Sequence, residues 1–230
     1  MIASRVAAVR ERIARAAARA GRRPEDVTLV AVSKTFPAEA VRAAFAAGLR
    51  DFGENRVQEA EGKPAALAEL RGSGLRWHLV GHLQANKARK AGALFDCIHS
   101  VDDGGLGERL DRVAAALGRR LEVFVEVNLG GEASKQGLPE ASLLATLETL
   151  RPLRSLRVLG LMVLPPYAAD PEQVRPFFAR LRAARDRALA AGLLAANQLS
   201  MGMSHDFEVA IEEGATHVRV GTALFGERVP

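Results

Sequence analysis

Lys34 follows directly on the apolar run Val27 to Ser33, so its amine leaves a sheet and not a solvated helix. An ammonium group drawn out of water loses basicity, and the neutral amine is a nucleophile toward carbonyl carbon. The alternative is a lysine that ends a strand and carries its charge back to water along its stem. Two further stretches, Ser200-Met201-Gly202-Met203-Ser204 and Gly221-Thr222, set small residues and hydroxyls at strand ends. Backbone N–H groups approach an anion closely there, and a helix predicted from Asp206 to Glu213 adds the positive end of its dipole. Glycine and serine at such places also make ordinary turns.

The elements that must position these groups alternate through nearly the whole chain. Strand-length apolar runs read as Val27 to Ser33, Leu49 to Gly53, Arg76 to Gly81, Phe95 to Val101, Leu121 to Asn128, Leu156 to Leu164, Asn197 to Gly202 and Thr216 to Gly221. Helical segments read as Ala38 to Ala47, Asn55 to Leu70, Asp103 to Leu117, Pro139 to Leu150, Pro171 to Ala191 and Asp206 to Glu213. Eight βα units predict an α/β fold, a single-domain (β/α)8 TIM-type barrel over residues 1–230, with an open doubly wound sheet as the alternative. No helix is expected after the last strand, and the N-terminal helix is expected to cover the seam between strands eight and one. In such a barrel the working groups sit at the C-terminal strand ends. Closure makes strand one a neighbour of strand eight, which sets Arg219 beside Lys34 and lowers the lysine's basicity further. A nucleophilic amine next to two anion-accepting loops is the donor set that a pyridoxal phosphate pocket requires.

Composition bounds the remaining classes. The chain has 230 residues, a formal net charge of +5 and 48% hydrophobic residues, which fits a folded domain with a large core. One cysteine, Cys97, excludes an internal disulfide and any multi-thiolate zinc site, and reads as a small buried hydrophobe in a reducing cytoplasm. No stretch reaches the ~18 apolar residues of a membrane span. Arg5, Arg12, Arg15 and Arg19 recur at helical spacing, as a solvated face or a phosphate-binding stripe would, yet one Trp and one Tyr leave little to stack on bases. His78 and His82 are spaced i, i+4 but straddle a strand end, which disfavours a metal pair. Gln84 to Lys90 reads as the solvated start of a basic helix.

Longer motifs then occur in a fixed order: AVSKTFP around Lys34, FGENRVQE at Phe52 to Glu59, WHLVGHLQANK at Trp77 to Lys87, VNLGGEASKQGL at Val127 to Leu138, LGLMVL at Leu159 to Leu164, and LSMGMSHDFEVAIEEGATHVRVGTALFG at Leu199 to Gly226. Together they resemble the pyridoxal 5′-phosphate homeostasis family, the YggS/PROSC-type proteins related in fold to the barrel domain of alanine racemase. The resemblance implies that Lys34 forms an internal aldimine with pyridoxal 5′-phosphate, that Ser200, Gly221 and Thr222 hold its phosphate, and that Arg219 faces the pyridine nitrogen. Asn55, in a family motif at a strand end, is expected to line the pocket. A guanidinium gives no proton at pH 7, so the ring stays a weak electron sink. The expected function is cofactor binding, buffering and delivery without catalysis; the alternative is a low-activity amino-acid racemase. That would need a second acid/base, which Tyr167, in a proline-rich loop, is poorly placed to be. Expected partners are the cofactor and apo-enzymes that use it, with no nucleic acid, no membrane and no metal. A monomer in the cytoplasm is expected.

Overall fold

The computed structural model describes residues 1–130 and 136–227; residues 131–135 of the VNLGGEASKQGL motif and residues 228–230 lie outside them. The strands are β1 (Thr28–Val32), β2 (Asp51–Glu54), β3 (Arg76–Leu79), β4 (Cys97–Val101), β5 (Leu121–Asn128), β6 (Leu138–Pro139), β7 (Leu156–Met162), β8 (Gln198–Met203) and β9 (His217–Val220). All pair in parallel, β1 lies between β2 and β9, and β4 pairs with β5, so among the described residues eight strands close a barrel. The two-residue β6 hangs on the outer end of β5 through Val127 opposite Leu138. Each expected strand is present within a few residues of its expected ends, and the near-continuous apolar runs follow from burial on both faces.

The helices are α1 (Ile2–Arg19), α2 (Ala38–Ala46), α3 (Val57–Ala60), α4 (Lys63–Ala66), α5 (Ala68–Arg71), α6 (Ala88–Leu94), α7 (Gly104–Ala116), α8 (Leu143–Leu150), α9 (Arg175–Ala190), α10 (Phe207–Glu212) and α11 (Thr222–Phe225). Three expectations need correcting. The helix expected over Asn55 to Leu70 is three short pieces, because Pro64 has no N–H to donate and its ring collides with the carbonyl four residues back. A single helical turn, α11, does follow the last strand. Pro171 and Pro176 likewise turn the start of the expected Pro171 to Ala191 helix into a 3-10 turn before α9.

Helix α1 packs on α10, α11 and α2 through Val6, Val9, Ile13, Ala16 and Ala17. It thus covers the seam where the last strand meets the first. Its arginines work within the fold: Arg12 pairs with Glu208 at 2.9 Å and lies over the Phe207 ring, Arg19 pairs with Glu212 at 2.6 Å, and Arg15 with Glu11 at 3.2 Å.

Strand alternation sorts side chains between two layers. Leu29, Ala31, Phe52, Trp77 and Val218 join the layer between strands and helices. Val30, Val32 and Val80 face inward near the C-terminal end, and Cys97, Phe124, Leu159 and Met162 fill the barrel lower down. The interior also holds buried polar groups, among them His78, His99, Ser200, His217 and Arg219. One glycine is dictated by strand spacing: a Cβ on Gly160 would sit 1.8 Å from the Gln198 carbonyl oxygen of the neighbouring strand.

Candidate cofactor site

At the C-terminal end of the barrel lies a cleft of about 1040 Å³. Continuing the inward parity of Val30 and Val32 brings Lys34 to its wall, and the parity of Asp51 and Gly53 does the same for Asn55. Arg219, Gly221 and Thr222 reach it from β9 and the turn after it. Of the six residues singled out from the sequence, these five line one cleft.

Ser200 does not. It is fully buried inside the barrel, opposite His217 in the strand register, whereas Met203 is opposite Arg219. The residue that leaves β8 at the height of the cleft is Ser204. Its Oγ accepts the N–H of Gly221 at 3.1 Å and of Ala223 at 3.4 Å, marking the point where backbone donors converge. Both serines stood in the same five-residue stretch, and only the register between β8 and β9 separates them.

The neighbours of opposite parity, Ser33 beside Lys34 and Glu54 beside Asn55, form a clamp. Ser33 Oγ donates to Glu54 Oε1 at 2.7 Å, and the Lys63 ammonium donates to Glu54 Oε1 at 2.7 Å and to the Ser33 carbonyl at 2.8 Å. Glu54 is fully buried, and burial raises its carboxyl pKa against the lowering pull of Lys63 and Ser33. The clamp holds the turn on which Thr35 adopts φ +67°, a left-handed conformation costly for a β-branched residue. Strain thus sits next to Lys34, anchored by an ion pair behind it. No motif reading pointed to Lys63; the alternation Ser33/Lys34 and Glu54/Asn55 places the two anchoring residues on the other face, and only the tertiary fold supplies the cation.

Arg219 is 3% exposed. Its Nη1 donates to Ser200 Oγ at 2.6 Å and its Nη2 to the Val163 carbonyl at 2.9 Å. Burial draws its pKa down to about 10, with Glu126 and Asp206 opposing, so it remains a cation at pH 7. Glu126, on β5, is 3% exposed with Oε2 unpartnered; burial, helped by Asp102, lifts its pKa to about 7. The two histidines spaced i, i+4 part company, as the strand end between them foretold: His78 is inside the barrel, while His82 lines the cleft 3.6 Å from Asp102. His78, Cys97 and His99 offer three donor atoms within 4.8 Å of one another. Both nitrogens of each imidazole are already hydrogen-bonded, and burial pushes the Cys97 thiol well up, which keeps it a thiol. Gln84 and Lys87 of the basic segment line the cleft, and Lys90 pairs with Glu61 at 2.5 Å.

Residues 5–229 match the alanine racemase N-terminal domain. The chain belongs to this family. It is similar to a protein of Aquifex aeolicus named pyridoxal phosphate homeostasis protein, 46% identical over 97% of each chain, and to one of the same name from Pseudomonas aeruginosa, 49% identical over 99% of this chain and 96% of that one. Among solved structures, PipY of Synechococcus elongatus with pyridoxal phosphate bound is 45% identical, with a TM-score of 0.86, covering 98% of this chain and all of that one. Family membership fixes the barrel as alanine-racemase-like, and the donor set of the cleft fits the cofactor in the PipY structure. An amine and a guanidinium face one cleft, with converging amides and hydroxyls at its β8–β9 corner.

Proposed function

We propose that this protein binds pyridoxal 5′-phosphate and serves its intracellular homeostasis, holding the cofactor and releasing it to apo-enzymes, in the cytoplasm and as one domain over residues 1–230. The observation that carries this is the convergence of Lys34 with Arg219 and with the Ser204–Gly221–Thr222 corner on one open cleft. When bound, pyridoxal phosphate supplies an aldehyde that condenses reversibly with a primary amine, releasing water. Lys34 would provide the amine, steadied by the Ser33–Glu54–Lys63 clamp. Ser204, Gly221 and Thr222 would take the phosphate oxygens, with Ser200 supporting Arg219 from below. Asn55 would line the ring. Arg219 would donate an N–H to the pyridine nitrogen and, as a cation at pH 7, withhold its proton from it.

A ring that stays unprotonated stabilises a carbanion weakly, which favours storage over amino-acid chemistry. Racemisation also needs a second acid/base, and Tyr167, the single tyrosine, is 82% exposed with its ring against His205. The test is reconstitution with pyridoxal phosphate, borohydride reduction and peptide mass mapping. The expected adduct is on Lys34 and disappears in Lys34→Ala; no adduct, or one on another lysine, overturns the assignment. Incubation of the loaded protein with single enantiomers of several amino acids addresses catalysis, and sustained loss of optical activity dependent on Lys34 would replace storage by racemisation.

A further inference from the structure

Below the cleft a line of buried polar side chains crosses the barrel. Arg219 Nη1 donates to Ser200 Oγ at 2.6 Å, Ser200 Oγ lies 2.8 Å from His99 Nδ1, His99 Nε2 lies 2.9 Å from His78 Nδ1, and His78 Nε2 lies 2.9 Å from Asp51 Oδ1. Five residues from five strands are thus joined end to end, and Ser200, His99 and His78 are at most 1% exposed. Each contact needs one proton, and a count of protons fixes where each lies.

A guanidinium only donates, so Ser200 Oγ accepts from Arg219. The serine's own proton then has His99 Nδ1 as its acceptor. His99, neutral, carries its proton on Nε2 and gives it to His78 Nδ1; His78 carries its proton on Nε2 and gives it to the Asp51 carboxylate. The opposite sense starts from a protonated His78 donating to His99 Nε2. His99 Nδ1–H would then also donate to Ser200, whose hydroxyl would receive two donors and have no acceptor for its own proton among the described contacts. A buried hydroxyl in that state is costly. We infer that Asp51, His78, His99 and Ser200 form a one-way hydrogen-bond chain that positions Arg219 at the floor of the cleft.

The surroundings agree. Burial, the largest cause, together with the Arg219 and Arg76 cations, holds the His99 pKa well below 6.5, which keeps the ring neutral. The Phe124 ring packs on His99 at 4.6 Å between centroids, so the middle of the chain is walled by apolar surface. At the far end, burial would raise the Asp51 pKa, but the hydrogen bond from His78 and the nearby Arg76 charge bring it below 3.8. Arg76 Nη1 stands 3.8 Å from Asp51, and Glu122 on β5 pairs with Arg76 in turn. A cation at one end and an anion at the other polarise every link in the same sense. Passing a proton along the line would run from a guanidinium near pKa 10 to a carboxyl below 3.8, steeply uphill, so the chain holds Arg219 in place and does not conduct.

The proton arrangement is read without any ligand. Long-range proton–nitrogen NMR of the nitrogen-15-labelled protein at pH 7 is expected to show His78 and His99 both neutral and both protonated on Nε2. An imidazolium, or an Nδ1–H tautomer at either ring, overturns the chain. The positioning role rests on the proposed cofactor reading and has its own measurement, pyridoxal phosphate affinity and absorption spectrum of Ser200→Ala beside Ser200→Thr. Loss of one hydrogen bond to a charged group is expected to weaken binding about tenfold and to shift the spectrum in the alanine variant, with the threonine hydroxyl restoring both. Wild-type affinity and spectrum in Ser200→Ala overturn the positioning role. Failure of the wild type itself to bind pyridoxal phosphate overturns the cofactor reading instead, leaving the tautomers to judge the chain.

Discussion

Replacing Glu126 by Gln should make the stability of the unloaded protein less sensitive to pH, in a direction the site dictates. Glu126 is 3% exposed, has an unpartnered Oε2, and faces the carboxylate of Asp102 and the guanidinium of Arg219. Its pKa stands at about 7 in the fold against 4.5 when unperturbed. Below 4.5 the group is protonated in both states and contributes no difference. Between 4.5 and 7 the folded state holds a proton the unfolded chain has released, so stability falls as pH rises. Above 7 both states are ionised and the full cost of the buried charge is felt, about 3 kcal/mol at ~1.4 kcal/mol per pKa step. For a chain of this length that is a melting shift of about 6 °C. Urea melts of wild type and Glu126→Gln at pH 4.5 and pH 8 should show the wild type losing about 3 kcal/mol more than the variant over that span. Parallel losses in the two proteins would refute the argument.

Three further substitutions test other contacts. Lys63→Met should cost about 3–5 kcal/mol by leaving the fully buried Glu54 carboxylate without its cation, and the double variant with Glu54→Gln should recover most of that in the same urea melts. Gly160→Ala should cost about 3 kcal/mol or more, because its Cβ would lie 1.8 Å from the Gln198 carbonyl; reduced protection from hydrogen exchange along β7 and β8 is the accompanying sign. Asp103→Ala should cost about 1 kcal/mol of thermal stability by removing the acceptor that caps α7 at the Leu106 N–H, 2.7 Å away, without changing cofactor affinity.

The periodic parts of the fold were readable because they are local. Eight apolar runs with two-sided burial, each followed by an alanine- and leucine-rich segment, leave few architectures open. Lys34 and Arg219 announce themselves by standing at the ends of such runs. The failures occurred where a local signal had a non-local answer. Apolar spacing reads Asn55 to Leu70 as one helix, but Gly62 and Pro64 interrupt it and three short helices form instead. Ser200 and Ser204 are alike in type and four residues apart; the shifted pairing of β8 on β9 puts one in the core and the other at the cleft. Nothing in the chain near Lys63 marks it as the partner of Glu54, and nothing near Asp51 marks it as the far end of a line reaching Arg219.

Sequence alone set the eight barrel strands and the chemical types available at the strand ends, since apolar runs and helix periodicity are properties of neighbouring residues. Tertiary structure decided height and partnership: which serine meets the Gly221 amide, which cation neutralises Glu54, and which side chains link Arg219 to Asp51. Those depend on how far each strand is staggered against the next when the sheet closes. Stagger is a relation between segments distant in the chain, and it is settled only when the whole barrel packs.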